Sequence, residues 1–197
     1  MLSILLSDFN LEFFSAENYD VDVVSLYRPG DHRAAQDKLS LWGGGPIREL
    51  SKGELYCTAS HFCVWEEAAC EWTIIIEDDA VPVTDRMHAA LCNVLVSLPP
   101  ETDIVYLGGG FPLESVSPVV EREGLFTLVG HPSSNTCVAY MARSRVLKSL
   151  REDLKEFHLP IDYEIAWMAY QHKLVVRHLN EYIFLEGSKF VYGSNLR

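Results

Sequence analysis

The sequence predicts an α/β fold in which a mostly parallel central sheet is flanked by helices. Residues 72–76 contain three consecutive isoleucines, which do not alternate with polar residues and therefore suit a strand buried on both faces. A helix over 84–98 and a strand over 103–107 follow, and this order is typical of a βαβ unit with parallel strands. Because no internal repeat or shift in composition divides the chain, we expect residues 1–197 to form a single domain.

Capping signals define two further helices. Ser51 and Glu54 have the spacing of a capping box, so a helix is predicted from Ser51 to about residue 70. Asp162 has a side chain suited to the N-cap of a later helix. A helix is also expected after Arg143-Ser144, with its apolar residues on one face.

The remaining segments are strands and loops. Further strands are predicted at 125–129, 136–141, 175–176 and 182–185, and weaker ones at 11–14 and 21–24. Proline and glycine interrupt residues 28–46 and 111–124, so both segments are predicted to be mostly loop.

Composition limits the possible partners. The chain is 48% hydrophobic and 22% charged, as in a globular protein, and its net charge of -12 disfavours binding to nucleic acid. No run of about 18 apolar residues occurs, so no membrane span is expected. The five cysteines are odd in number and form no Cys-x-x-Cys pair, which argues against a zinc site and a disulfide framework and predicts buried free thiols in a reducing compartment. We expect a cytoplasmic location.

Three acids, Glu77, Asp78 and Asp79, follow the isoleucine strand directly. Their mutual repulsion favours a divalent cation, and oxygen ligands suit Mn²⁺ or Mg²⁺. Residues i and i+2 of a strand share a face, so Glu77 and Asp79 are predicted to point together and Asp78 away. Asp79 is the first candidate metal ligand, followed by Glu77 and Asp78. The alternative is that the acids only begin a solvated loop. His131, in a Gly-His-Pro loop, is either a further metal or phosphate ligand or an ordinary loop residue.

Residues 50–83 resemble glycosyltransferase family 25. The matching positions are Leu50, Gly53, Glu54, Cys57, Ser60, His61, Trp65, the isoleucine strand and Glu77-Asp78-Asp79. Looser matches occur at 103–109, at 136–143, where Thr136 replaces a glycine common in the family, and at 159–162.

The resemblance implies a Rossmann-type fold of the glycosyltransferase A class and an inverting, metal-dependent transfer of a sugar to a glycan acceptor. UDP-galactose is the expected donor. Ser60, His61, Glu54 and Asp78 are the implied donor-binding residues. Asp162 is the implied general base, although its role as an N-cap explains the same residue.

The chain departs from the family at its start. Residues 11–16 already resemble the second conserved segment, so the usual first strand is shortened to 3–6 or missing. This departure leaves open a second function, a catalytically degenerate module that binds a sugar or a protein. A third alternative is a hydrolase of phosphate esters that uses the same acids with a metal.

Overall fold

The computed structural model describes residues 23–112, 119–129, 134 and 136–190. The predicted strand at 11–14 and the shortened first strand lie outside these residues. Within the described ranges, no helix is long and apolar enough to cross a membrane.

Helices and strands are mixed along the described chain. The helices are α1 Val23–Leu26, α2 His32–Leu39, α3 Lys52–Glu67, α4 Met87–Ser97, α5 Ser144–Asp153, α6 Ile161–Gln171 and α7 Gly187–Phe190, with a 3₁₀ turn at Ser40–Trp42. The strands are β1 Trp72–Ile76, β2 Ala80–Pro82, β3 Ile104–Tyr106, β4 Gly108–Gly109, β5 Val119–Glu123, β6 Phe126–Val129, β7 Ala139–Arg143, β8 Val176–Leu179 and β9 Phe184–Glu186.

The main sheet has six strands in the order β1-β7-β3-β8-β6-β5. Only the β3–β8 pairing is parallel, and the other four pairings among these strands are antiparallel. The prediction of a mostly parallel, Rossmann-type sheet is therefore not confirmed. β1 and β3 do run in the same direction, but β7 lies between them, with Tyr140 opposite both Ile75 and Tyr106.

Helices cover both faces of this sheet. One face packs against α3, α5 and α6, and its largest core residues are Phe62, Trp65, Tyr106, Tyr140, Phe157 and Ile165. The other face packs against α4 through Met87, Leu91 and Val94. β1 is the edge strand of this sheet, so only Ile75 is buried, and Ile74 and Ile76 are half-buried against the core beside α4. The predicted burial of this strand on both faces is therefore only partial.

The predicted capping box begins α3. The Ser51 hydroxyl accepts a hydrogen bond from the Glu54 amide, and the Glu54 carboxylate accepts one from the Ser51 amide. The helix ends at Glu67, close to the predicted end. The α4 helix lies within the predicted 84–98 range.

Four local predictions were wrong. The segment 28–46 contains α2, because Asp31 caps that helix by accepting from the Ala34 amide. The segment 111–124 contains β5, which pairs with β6. Residues 23 and 24 begin α1 rather than a strand. Asp162 is not the N-cap of α6, because Pro160 holds that position and Asp162 lies in the first turn.

A second sheet has three strands in the order β2-β9-β4. Its strands β2 and β4 come shortly after β1 and β3 in the chain. Its close packing requires glycine at 108, since a Cβ there would lie 2.8 Å from Val138 Cγ1 and 3.0 Å from Phe184 Cβ. This sheet leads through β9 into α7, which reaches the acidic residues after β1.

Candidate functional site

The candidate site lies at one edge of the main sheet. The strands β1, β3 and β8 run in the same direction, so their carboxyl ends meet at that edge. Glu77 follows β1 there, and its backbone N–H donates to the Val138 carbonyl before β7 at 2.9 Å. Asp162 in α6 interacts electrostatically with Cys57 and Cys137, which places the first turn of α6 beside the same edge.

Glu77, Asp78 and Asp79 form a tight turn rather than an extension of β1. The Ala80 amide donates to the Glu77 carbonyl at 3.1 Å and closes that turn. Asp78 is exposed, whereas Glu77 and Asp79 are half-buried. The argument that Glu77 and Asp79 share one strand face was therefore wrong, and their carboxylates contact different elements.

The Glu77 carboxylate faces α3. Its Oε1 atom lies 3.3 Å from His61 Nε2 and accepts a hydrogen bond from the Cys57 thiol at 3.4 Å. Burial by itself raises the pKa of Glu77, but the hydrogen bond from His61, the charge interaction with His61 and the hydrogen bond from Cys57 outweigh it, so the net pKa lies below its usual value. Glu77 is therefore held as a carboxylate, and no lysine or arginine among the described residues pairs with it.

A chain of hydrogen bonds behind His61 fixes its ring. His61 Nδ1 lies 2.8 Å from the Tyr140 hydroxyl, and the Trp65 indole N–H donates to that hydroxyl at 2.9 Å. When Tyr140 donates to Nδ1, the proton of a neutral His61 is on Nε2 and points at Glu77, so each group in the chain has a partner. The His61 and Tyr140 rings also stack, with centroids 5.6 Å apart.

The Asp79 carboxylate faces α7. Its Oδ2 accepts from the Ser188 amide at 3.3 Å, and its backbone carbonyl accepts from the Gly187 amide at 2.9 Å. Burial and the nearby Glu77 and Glu186 carboxylates raise the pKa of Asp79 despite the bonds from Ser188. No lysine or arginine among the described residues pairs with Asp79, so a divalent cation with oxygen ligands fits this donor set.

Asp162 lies at the positive end of α6. Its Oδ1 accepts from the Tyr163 amide at 3.0 Å, and a carboxylate in the first turn is stabilised by the helix dipole. The Tyr163 ring meets Trp42 edge to face, with centroids 5.0 Å apart, and both side chains are partly exposed. A carboxylate and an aromatic pair are thus neighbours at the start of α6.

The other predicted site residues do not all lie at this edge of the sheet. Glu54 lies at the start of α3, where Arg48 binds its two oxygens at 2.5 and 2.8 Å and holds the pKa of Glu54 at about 2. Ser60 is half-buried on α3. Their roles in donor binding stay predictions. His131 lies outside the described residues.

Sequence reasoning missed several residues that build the edge. Cys57 and Trp65 were matched to the family but given no role, and Tyr140 was treated only as a strand residue. Thr136 has a φ of 67°, in the left-handed region that favours glycine, and its buried hydroxyl makes no hydrogen bond in the described part of the chain. The glycine common at this position in the family was the available signal for that backbone.

Comparison with protein families supports the resemblance to glycosyltransferase family 25. Comparison with curated proteins gives no match for this chain. The sequence profile described as glycosyltransferase family 25 (LPS biosynthesis protein) matches residues 8–165, which is most of the 197-residue chain. The matched range includes α3, the Glu77–Ala80 turn, β7 and Asp162. The chain therefore belongs to glycosyltransferase family 25.

Proposed function

We propose that the protein transfers a sugar from a UDP-sugar, with UDP-galactose as the expected donor, to a glycan acceptor with inversion at the anomeric carbon. The observation that carries this proposal is the arrangement of carboxylates at one sheet edge, where Asp78 and Asp79 lie in a turn and Asp162 lies at the start of α6. Open sheets place ligands at the carboxyl ends of strands that run together. Membership of the family supports the reaction class.

Asp79 and Asp78 are the residues that we propose hold Mn²⁺ or Mg²⁺, because Glu77 is already engaged by Cys57 and His61. A bound divalent cation would neutralise the charge that develops on the leaving diphosphate. The net charge of -12 makes such compensation necessary, since the chain offers an anionic donor little general attraction.

Asp162 is the proposed general base. An acceptor hydroxyl must lose its proton as its oxygen attacks the anomeric carbon and the bond from that carbon to the diphosphate breaks. Asp162 lies in the first turn of α6, where a carboxylate interacts favourably with the helix dipole, and a carboxylate is the type of group expected to accept the proton. Trp42 and Tyr163 beside it offer aromatic surface for the apolar face of a sugar ring.

A cytoplasmic location also remains part of the proposal. The five cysteines all lie in the described residues and all are free thiols, as expected in a reducing compartment.

Calorimetric titration with UDP and UDP-galactose, with and without Mn²⁺, tests the donor site. We expect binding that requires Mn²⁺, its loss in Asp79→Asn, and its retention in Asp85→Asn, which removes an exposed acid a few residues further along. Mn²⁺-independent binding by the unmodified protein would contradict the metal assignment. Failure to bind UDP or a panel of other nucleotide sugars would favour the degenerate sugar- or protein-binding module.

A transfer assay with a panel of glycan acceptors tests the reaction. Asp162→Asn should retain Mn²⁺-dependent UDP binding and lose transfer, whereas near-normal turnover would remove Asp162 from the role of base. Release of phosphate from simple phosphate esters without an acceptor would favour the hydrolase alternative.

A further inference from the structure

A second group of metal-binding side chains lies beside the proposed donor site and is chemically different from it. Cys57, His61 and Glu77 each direct one ligand atom to the same place, and the three atoms lie within 4.8 Å of one another. Among the described residues, this is the one group of three or more His, Cys, Asp or Glu side chains with that geometry. We propose that Cys57, His61 and Glu77 bind a zinc ion.

The distances between the ligand atoms suit zinc. Bonds from zinc to nitrogen, oxygen and sulfur of about 2.0–2.3 Å at tetrahedral angles place nitrogen and oxygen about 3.3 Å apart and sulfur and oxygen about 3.5 Å apart. The corresponding distances here are 3.3 Å from His61 Nε2 to Glu77 Oε1 and 3.4 Å from Cys57 Sγ to the same oxygen. Two of the three distances between ligand atoms therefore match a zinc site, and all three atoms lie within 4.8 Å of one another.

Ordered backbone carries all three ligands. Cys57 and His61 are four residues apart in α3 and thus lie on one face of the helix. Glu77 follows the last residue of β1, and its backbone N–H is bonded to the Val138 carbonyl. Such a site loses little conformational entropy when it binds a metal, because the backbone that carries it is already ordered.

The residues behind His61 complete the site. A zinc-bound histidine donates its other ring N–H to a fixed acceptor, which sets the ring orientation. Here that acceptor would be the Tyr140 hydroxyl, 2.8 Å from Nδ1, and Trp65 holds the hydroxyl in place. The Tyr140 hydroxyl donates to Nδ1 without metal and accepts from Nδ1 when Nε2 binds the ion.

The sulfur ligand separates this site from the proposed Mn²⁺ or Mg²⁺ site. A thiolate with an imidazole selects zinc, whereas Asp78 and Asp79 offer only oxygen and suit hard cations. Three protein ligands leave a fourth position open, as in zinc sites that bind water or a ligand. The two assignments can therefore fail independently.

Cobalt substitution tests the site without any sugar donor. The metal-free full-length protein should bind one Co²⁺ and show the intense near-ultraviolet absorption of a cobalt–thiolate bond. Cys57→Ser should lose that band. Cys92→Ser is the matched control, because Cys92 is also half-buried and lies four residues from a histidine, His88, but belongs to no group of three possible ligands among the described residues. A band that survives in Cys57→Ser, or that is absent from the unmodified protein, would overturn the proposal.

Competition with a chromophoric chelator measures the zinc affinity. Because loss of a group behind a ligand costs about 10–100-fold in affinity, Tyr140→Phe should weaken zinc binding within that range, and Cys57→Ser should weaken it by more than about 100-fold. X-ray absorption of the zinc-loaded unmodified protein gives a result that does not depend on any variant folding. One sulfur with nitrogen and oxygen ligands is expected, and no sulfur or two sulfurs would overturn the assignment.

Discussion

Two glutamates, Glu164 and Glu77, show how the same side chain serves different purposes in this molecule. Glu164 is fully buried in α6, pairs with Lys38 of α2 at 2.5 Å, and accepts from the His158 and Leu159 amides at 2.8 and 3.0 Å. Glu77 has 26% of its side chain exposed and is bound by a histidine and a thiol. Glu164 thus has a full cation as partner, whereas Glu77 has only weaker donors and access to solvent.

The difference indicates which carboxylate is available to a ligand. A buried charge without a compensating charge is costly, so Glu164 and Lys38 depend on each other and join α2 to α6. In the described part of the chain, Glu77 is bound by the His61 ring and the Cys57 thiol, and neither Glu77 nor Asp79 near it has a lysine or arginine partner. A metal can therefore bind at the edge of the sheet without breaking an ion pair that the fold needs.

The largest expected change in stability comes from substitution of Glu164. Glu164→Gln leaves the Lys38 ammonium buried without a counter-charge, so the free energy of unfolding should fall by about 3 kcal/mol or more. Denaturant unfolding measures the change. Glu152→Gln, at an exposed position of α5, is the control and should change stability by less than about 0.5 kcal/mol. A loss below about 1 kcal/mol for Glu164→Gln would mean that the pair is not structural.

Backbone strain at Thr136 gives the next effect, with the opposite sign. A left-handed φ costs a residue with a Cβ about 1–2 kcal/mol, and glycine avoids this cost. Glycine in turn loses about 0.5–1 kcal/mol of stability, because its unfolded chain has more conformational entropy. Thr136→Gly should therefore raise the free energy of unfolding by about 1 kcal/mol or slightly less. Strain of this kind would distinguish the edge around Glu77 from the unstrained surroundings of Glu164.

Thr136→Ala is the matched control for this effect. It removes the same buried hydroxyl but keeps the Cβ, so the difference between the alanine and glycine variants is the strain less the entropy cost of glycine. A glycine variant less stable than the alanine variant by about 0.5–1 kcal/mol in denaturant unfolding would show that the positive φ costs nothing here.

Glu77→Gln should change stability less than Glu164→Gln does. A glutamine oxygen can still accept from His61 and Cys57, and no buried cation is left alone, so the expected loss is below about 1 kcal/mol. Zinc binding should nevertheless fall sharply, as measured by chelator competition. Glu71→Gln, whose side chain is 77% exposed, is the control for both measurements. A loss of stability as large as that of Glu164→Gln would show that Glu77 is equally part of the fold.

Local signals and long-range contacts explain what the sequence could and could not predict. The capping box of α3 depends on neighbouring residues and was predicted correctly. The full burial predicted for β1 was wrong for most of its residues, because β1 lies at the edge of the sheet. The insertion of β7 between β1 and β3 depends on a strand that follows about 60 residues later, and no local pattern contains it. The consequence was a sheet predicted to be mostly parallel.

For the candidate site, too, some features were predicted from local signals and others depended on long-range contacts. Glu77, Asp78, Asp79 and Asp162 were found from motif and resemblance, and the structure brings α3, the turn after β1 and α6 to one edge. The pairing of Glu164 with Lys38 joins residues 126 positions apart, so neither residue was singled out. The direction of the Glu77 carboxylate was also missed, because a turn replaced the expected strand.

Substitution of Glu54 should change the stability least. Like Glu164, Glu54 has a cationic partner, but that partner is exposed to solvent. The Glu54 side chain is 15% exposed, and its partner Arg48 is 61% exposed, so solvent screens much of the attraction. The pKa of Glu54 is lowered from 4.5 to about 2, mainly by the hydrogen bonds from Arg48. A carboxylate with a lowered folded-state pKa contributes stability above the unfolded value and loses it as the pH falls.

Glu54→Gln keeps a side chain that can complete the capping box but removes the charge. At neutral pH the variant should be about 0.5 kcal/mol less stable than the unmodified protein, and this difference should shrink between pH 4.5 and about 2, where Glu54 becomes protonated in both states. Urea unfolding over that pH range measures it, with Glu49→Gln, at an exposed position near the same helix end, as the control. A difference that stayed constant with pH would show that the capping hydrogen bonds, rather than the charge of Glu54, stabilise the start of α3.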